Sequence, residues 1–334
     1  MSKLVDSIIE RAAKLSKHII LAEGEDSRVV KAASEIAKKG FCKITLIGNS
    51  EEIAKNNPDV SLAGINIIDP KTSEKHAEYA NLLFELRKAK GMTEEQADAL
   101  SYDNVFFAML MLKSGEADGV VSGACHSTAN TLRPGLQIIK TAPGIPLVSS
   151  CSLMIAPEGG HPLCEDGAYI YADTGLEQNP DPDKLAFIAY AAAKHCKALI
   201  GVEPRVAFIS HSSKGSAKHA DVEKVVAAFN KFKEIAPDIA ADGELQFDSA
   251  IVPSVAASKA PDSPVAGHAN VLVFPDLDCG NTCYKITERL AGFMAVGPLC
   301  QGFAKPINDL SRGCKWEDIY VAAAVTALQT EIKW

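Results

Sequence analysis

The feature that most constrains this chain is an alternation. Short β-branched apolar runs, "HIILAEG", "KITLIGN", "GINIIDP" and "ADGVVSGA", are separated by "DSRVVKAASEIAKKG", "SEEIAKNN" and "AEYANLLFELRKAKG". The runs read as buried strands ending in polar or glycine turns, and the segments between them carry helical periodicity. Strand, helix, strand, with apolar strands at the centre, predicts a parallel sheet covered by helices. The texture changes near 145–175. There "GIPLVSSCSLMIAP" and "DGAYIYADTG" are apolar with little helix between them, which fits strands joined through a loop, with antiparallel pairing an option. Alternation then resumes through "DKLAFIAYAAAKHCKAL", "RVAFISHS", "HADVEKVVAAFNKFKEIAP", "ANVLVFPD" and "NTCYKITERLAG". A last helix, 315–331, is too apolar to stand alone and is expected to pack back on the first domain. The expected organisation is therefore a discontinuous α/β domain, 1–148 plus 303–334, and a second α/β domain, 149–302. A length of 334 residues suits two domains of roughly 100–200 residues each.

Composition narrows the function classes. A formal net charge of −8 argues against a general nucleic-acid role, which needs a basic face. Any anionic substrate then requires a local basic pocket. Nine cysteines are scattered without a framework, as expected for reduced thiols in a cytoplasmic protein. The closest pair, Cys279 and Cys283, has no partner pair at zinc spacing, so no metal is expected in the chemistry. No apolar run reaches the roughly 20 residues of a membrane span. The opening "MSKLVDSIIERAAKL" reads as an amphipathic helix without the apolar core of a signal peptide.

Ligand sites in open parallel α/β sheets lie beyond the carboxyl ends of the strands. That rule selects the polar loops "EGEDSR", "SGACHSTANTLR", "SHSSKGSAKHAD" and "PDLDCGNTCYK", with "NDLSRGC" near the end. In "SGACHSTANTLRPG", Ser127, Thr128 and Thr131 lead into a helix bearing Arg133. Helix-start N–H groups, hydroxyls and a guanidinium together suit an oxyanion. Simple capping by Ser127 or Thr128 also accounts for the hydroxyls. "SHSSKGSAKHAD" lacks the Walker spacing, no G-x-G-x-x-G follows the early strands, and no G-x-S-x-G elbow occurs. Arg87, in "ELRKAKG", has a bland reading as a basic residue closing a helix before Gly91. Ser311 and Arg312 precede the last helix, and Asp318 falls in its first turn, where an acid is ordinarily stabilising. Those three residues therefore read either as helix-start chemistry or as a donor, an anion clamp and a base.

Four stretches resemble phosphate acetyltransferases: "DGVVSGACHSTANTLRPGLQIIKT", "DGELQFDSAIVPSVAASKAP", "ANVLVFPDLDCGNTCYKITERLAG" and "GPLCQGFAKPINDLSRGC". Each is weak alone, the combination is specific, and the resemblance extends over nearly the whole chain. It implies reversible acetyl transfer between coenzyme A and inorganic phosphate, with acetyl-CoA and acetyl phosphate as substrates and no tightly bound cofactor. It also implies two three-layer α/β/α domains with mainly parallel sheets, related to the isocitrate and isopropylmalate dehydrogenase fold. The active site would lie in the interdomain cleft of each subunit of a homodimer, coupled metabolically to acetate kinase. Carried over by motif, Ser311, Arg312 and Asp318 are catalytic, Asp318 as the proposed base. Arg87 and Arg133 bind coenzyme A or phosphate, and Tyr284 and Lys285 lie near the acyl phosphate. The family commonly has a cysteine where this chain has Thr174, so any role of that cysteine is absent or dispensable here. Rival readings are a phosphate butyryltransferase, a catalytically silent regulatory domain, and a dehydrogenase of the related fold.

Overall fold

The computed structural model describes residues 2–334. Its strands are β1 (His18–Leu21), β2 (Lys43–Ile47), β3 (Asn66–Ile68), β4 (Gly119–Ser122), β5 (Ser149–Ile155), β6 (Ala168–Ala172), β7 (Arg205–Ile209), β8 (Ala240–Leu245), β9 (Val271–Val273), β10 (Met294–Gln301) and β11 (Ile307–Asp309). Two compact units result. One holds Val5–Pro143 and Phe303–Glu331; the other holds Gly144–Gly302, Ile332–Trp334 and residues 2–4.

The first unit is built on a five-stranded sheet of order β11-β4-β1-β2-β3. All its neighbours are parallel. The chain steps outward from β1 to β2 to β3, then returns to the opposite side of β1 with β4. That reversal makes the β1/β4 junction the switch point, where loops part and leave a crevice at the carboxyl ends. Local chemistry fixes the covering helices. The helix Ser27–Lys39 starts on Asp26, whose carboxylate accepts the Arg28 N–H, and stops at Gly40, φ 73°. It buries Val29, Val30, Ala32, Ala33 and Ile36, the stripe expected of a helix lying on a sheet. The closing helix, Trp316–Gln329, is buried from Ile319 to Gln329 and packs on β1, β4 and Ser27–Lys39. The helix Asn104–Ser114 is buried from Val105 to Leu112. Periodicity gave no sign of it, because apolar residues face every way around it.

The second unit carries a six-stranded sheet, β10-β5-β6-β9-β7-β8. β5 runs antiparallel to both neighbours, while β6, β9, β7 and β8 pair in parallel. The texture change near 145–175 is this antiparallel edge. Strands β8, β10 and β11 escaped the sequence reading because they are short or carry Gly, Asp and Pro within them.

Gly123, just past β4, has φ 105°. A Cβ there would meet Asp309 Oδ1, and Leu310 N at 2.6 Å. Gly123→Ala is expected to cost at least about 1–2 kcal/mol from backbone strain alone, read as a lower denaturant midpoint at unchanged slope.

Candidate active site

The carboxyl ends of β1, β4 and β11 form one patch of loops at the switch point. Its anchor is Glu23, two residues past β1 and only 1 % exposed. The Glu23 carboxylate accepts three successive backbone N–H groups, from Ala124 at 2.7 Å, Cys125 at 3.1 Å and His126 at 3.0 Å. It also meets His126 Nδ1 at 2.7 Å. A run of consecutive N–H groups is an anion-binding concavity, and here an internal carboxylate fills it. The loop after β4 is thereby locked in one shape.

A second tie runs through Arg28. Its guanidinium pairs with Asp26 at 2.6 Å and donates to the carbonyls of Ala124 at 2.7 Å, Arg312 at 2.8 Å and Cys314 at 2.8 Å. The Asp26 contact, foremost among the causes, raises the Arg28 pKa further above the ordinary guanidinium value. Arg28 is fully engaged in holding the β4 loop to the loop after β11. Neither Glu23 nor Arg28 was singled out from sequence. The one available signal was their position in "EGEDSR", a loop picked only for following a strand.

On this frame sit the sequence-selected residues. Ser127 caps the helix Thr128–Ile138, its Oγ accepting the Asn130 N–H at 3.3 Å. Ser127, Thr128 and Arg133 are exposed, whereas Thr131 is buried. Asp309, the last residue of β11, is buried with its Oδ1, like Thr131 Oγ1, lacking a hydrogen-bond partner among the described residues, and the Thr128 and Thr131 hydroxyls lie close enough to act on its charge. Burial raises the Asp309 carboxyl above the ordinary aspartate value, against the pull of those hydroxyls. Thr131 therefore backs the site rather than facing solvent. Two residues past β11, Ser311 Oγ accepts the Gly313 N–H at 3.2 Å, leaving its own hydrogen free to donate. Ser311 and Arg312 are exposed.

Arg133 and Arg312 contrast with Arg28. Among the described residues, neither is paired with a carboxylate. Arg87 ends the helix His76–Arg87 ahead of a short 3₁₀ turn closed by Gly91, φ 84°. Its Nε is buried without a hydrogen-bond partner. Asp318 is half-buried and accepts the Lys315 N–H at 2.8 Å, so the capping geometry is real. Tyr284 and Lys285 belong to the other unit, on the helix Leu277–Ala291. There Lys285 Nζ lies 5.8 Å from the Tyr284 ring centre.

The phosphate-like loop after β7 turns out to be self-filled. Gly215 N–H and Ser212 Oγ both donate to Glu244 Oε1 at 2.8 Å, and Lys214 pairs with Asp242 at 2.7 Å. Thr174 is buried, its hydroxyl 2.8 Å from that of Ser152.

Fold and site together define a two-unit α/β protein with an arginine-bearing site at the carboxyl ends of parallel strands. The family model described as phosphate acetyl/butaryl transferase matches residues 3–327. A phosphate acetyltransferase from Acetivibrio thermocellus is 54 % identical over 329 residues, covering 98 % of each chain. The crystal structure of a phosphotransacetylase from Streptococcus pyogenes superposes with a TM-score of 0.91 at 41 % identity over 99 % of each chain. A putative 4-hydroxythreonine-4-phosphate dehydrogenase from Salmonella typhimurium matches at TM-score 0.51 and 13 % identity, over 94 % of this chain and 99 % of its own. That likeness is one of fold alone. The chain belongs to the phosphate acetyl/butaryl transferase family.

Proposed function

We propose that this chain is a phosphate acetyltransferase, moving an acetyl group reversibly between coenzyme A and inorganic phosphate. One observation carries the reading beyond family membership. In the segments that follow β4 and β11 at the switch point, Arg133 and Arg312 are exposed and free of carboxylates, and Ser127, Thr128 and Ser311 are exposed on the same segments. Paired arginines recognise phosphate oxygens by bidentate hydrogen bonds. In the direction from acetyl phosphate, the thiol of coenzyme A must lose a proton, attack the acyl carbonyl and expel phosphate. A free thiol titrates near ~8.5, so little is thiolate at neutral pH. Asp318 is the proposed acceptor of that proton. Ser311 donates to the developing oxyanion or to the leaving phosphate, and the arginines hold the phosphate. Arg87, Tyr284 and Lys285 complete the proposed substrate-binding set. Direct attack in a ternary complex is favoured over an acyl-enzyme: Cys125 and Cys196 each stand beside a histidine in sequence, but burial, joined at Cys125 by the charges of Glu23 and Glu25, pushes both thiols up and away from the thiolate.

The same reading takes coenzyme A and acetyl-CoA as substrates rather than bound cofactors. It places the protein in the cytoplasm as a homodimer working beside acetate kinase. No helix among the described residues is long and apolar enough to cross a membrane, and sedimentation checks the dimer. Phosphate-dependent consumption of acetyl-CoA by the purified protein tests the activity. Turnover of butyryl-CoA above that of acetyl-CoA would move the assignment to the butyryl side of the family. Absence of both would leave the silent-domain reading standing.

Arg133→Lys isolates the clamp. Charge is kept but the planar fork is lost, so kcat/KM for phosphate is expected to fall about 10-fold or more, one bidentate contact being worth roughly 1.5–3 kcal/mol. Arg133→Ala with wild-type kinetics and a folded spectrum would remove it from the site.

A further inference from the structure

We propose that Glu23, Cys125 and His126 bind a soft divalent transition ion of the Zn²⁺ class, and that occupancy inhibits turnover. Their donor atoms all lie within 4.8 Å of one another. Cys125 Sγ is 3.4 Å from Glu23 Oε1 and 3.7 Å from His126 Nδ1, with Glu25 Oε1 at 3.7 Å on a further side. In a tetrahedral zinc site with Zn–S about 2.3 Å and Zn–N or Zn–O about 2.0–2.1 Å, the sulfur stands about 3.5 Å from each neighbouring ligand atom. All three distances around the sulfur already fit that edge. The remaining one, His126 Nδ1 to Glu23 Oε1 at 2.7 Å, is a hydrogen-bond length and must open by about half an ångström.

The exchange balances. Glu23 Oε1, which also accepts the backbone N–H groups of Cys125 and His126, is met by two side-chain donors, the thiol and the imidazole Nδ1. A dication takes the place of their hydrogens. The ring proton moves from Nδ1 to Nε2, the thiol proton leaves to solvent, and a sulfur–metal bond forms with no change of oxidation state. Glu23 keeps the Ala124 N–H on Oε2 at 2.7 Å, an outer contact that fixes the carboxylate for ligation. Electrostatics favour the ion. The carboxylates of Glu23 and Glu25 stand 3.4 and 3.7 Å from Cys125 Sγ, and their negative charges attract a dication. Access is open, since Cys125 is exposed and His126 half-buried.

Ligation would pull His126 aside, and with it the backbone of Ser127 and Thr128 that follows directly. That inhibitory half rests on the acyl-transfer reading; the binding half does not. The test titrates chelator-treated full-length protein with Co²⁺. One equivalent is expected to give a thiolate-to-cobalt charge-transfer band, displaced by Zn²⁺. Cys125→Ser and Cys125→Ala, folded by circular dichroism, are expected to lose the band. Zn²⁺ is expected to inhibit acetyl transfer by the wild type at concentrations at least about 10-fold lower than for either variant. Absence of the band, or its persistence in both variants, overturns the site. A band with no accompanying inhibition overturns the inhibitory role while leaving the proposed activity untouched.

Discussion

Asp318→Asn is expected to lower kcat by about 10²-fold or more while KM changes little and stability moves by at most about 1 kcal/mol. The expectation follows from the geometry of one side chain with two possible jobs. Asp318 accepts the Lys315 N–H at 2.8 Å, which a neutral asparagine oxygen can also do. The helix cap therefore survives the substitution. What asparagine cannot do is accept a proton from a thiol. Kinetics and a denaturation curve on the same variant thus report separately on the two roles. Ser311→Ala is the companion measurement. Its hydroxyl already accepts the Gly313 N–H at 3.2 Å, so its loss loosens a turn slightly, whereas loss of a transition-state donor typically costs about 10²–10³-fold in kcat. A variant Asp318→Asn that melts lower yet turns over like the wild type would leave only the cap, and Asp309, buried nearby on β11 with its carboxyl raised, would become the next residue to test.

The parallel sheet, its helices and the change of texture near residue 145 were legible because they rest on period and apolarity. The residues that shape the site were not, for a reason of chemistry. Glu23 and Arg28 act through backbone atoms more than one hundred or nearly three hundred residues away, and no local pattern records such a partner. Arginine and serine in a polar loop look alike whether they face a ligand or a carbonyl. In the structure they separate cleanly: Arg28 spends its donors on Asp26 and three carbonyls, while Arg133 remains unpaired with acid. Thr131 differs from its neighbours in burial. Its place in "HSTANTLR" suggests a ligand contact, and helical geometry buries it while Ser127 and Thr128 stay exposed, a difference that a run of small hydroxyl residues does not record.

One device recurs at the strand ends of both units. Glu23 after β1, Asp173 after β6 and Glu244 within β8 are all buried carboxylates that accept backbone N–H groups of a neighbouring loop. Asp173 takes those of Ser150, Gly175, Leu176 and Glu177 at 2.7–3.1 Å, and Glu244 takes that of Gly215 at 2.8 Å. Each loop that resembles an anion cradle is thus already filled from within, and capacity for an external anion passes to the free arginines. Glu23 is where undoing this bears most directly on the candidate site. Glu23→Ala leaves three adjacent N–H groups and the His126 ring without their acceptor, and each buried donor so stranded costs about 1–3 kcal/mol before water or rearrangement compensates. A loss of about 3 kcal/mol is expected, with faster amide exchange at residues 124–126. Turnover should fall by about 10²-fold, because Ser127, Thr128 and Arg133 follow directly on the released loop and misplacement by about 1 Å is enough for such a loss. Glu23→Gln sharpens the test. Its amide keeps one acceptor oxygen but turns an NH₂ group toward N–H donors, so it should share the phenotype despite its shape. Wild-type kcat in Glu23→Gln, with exchange at 124–126 accelerated, would show that the loop does not carry substrate and would leave Arg312 and Ser311 to hold the phosphate alone.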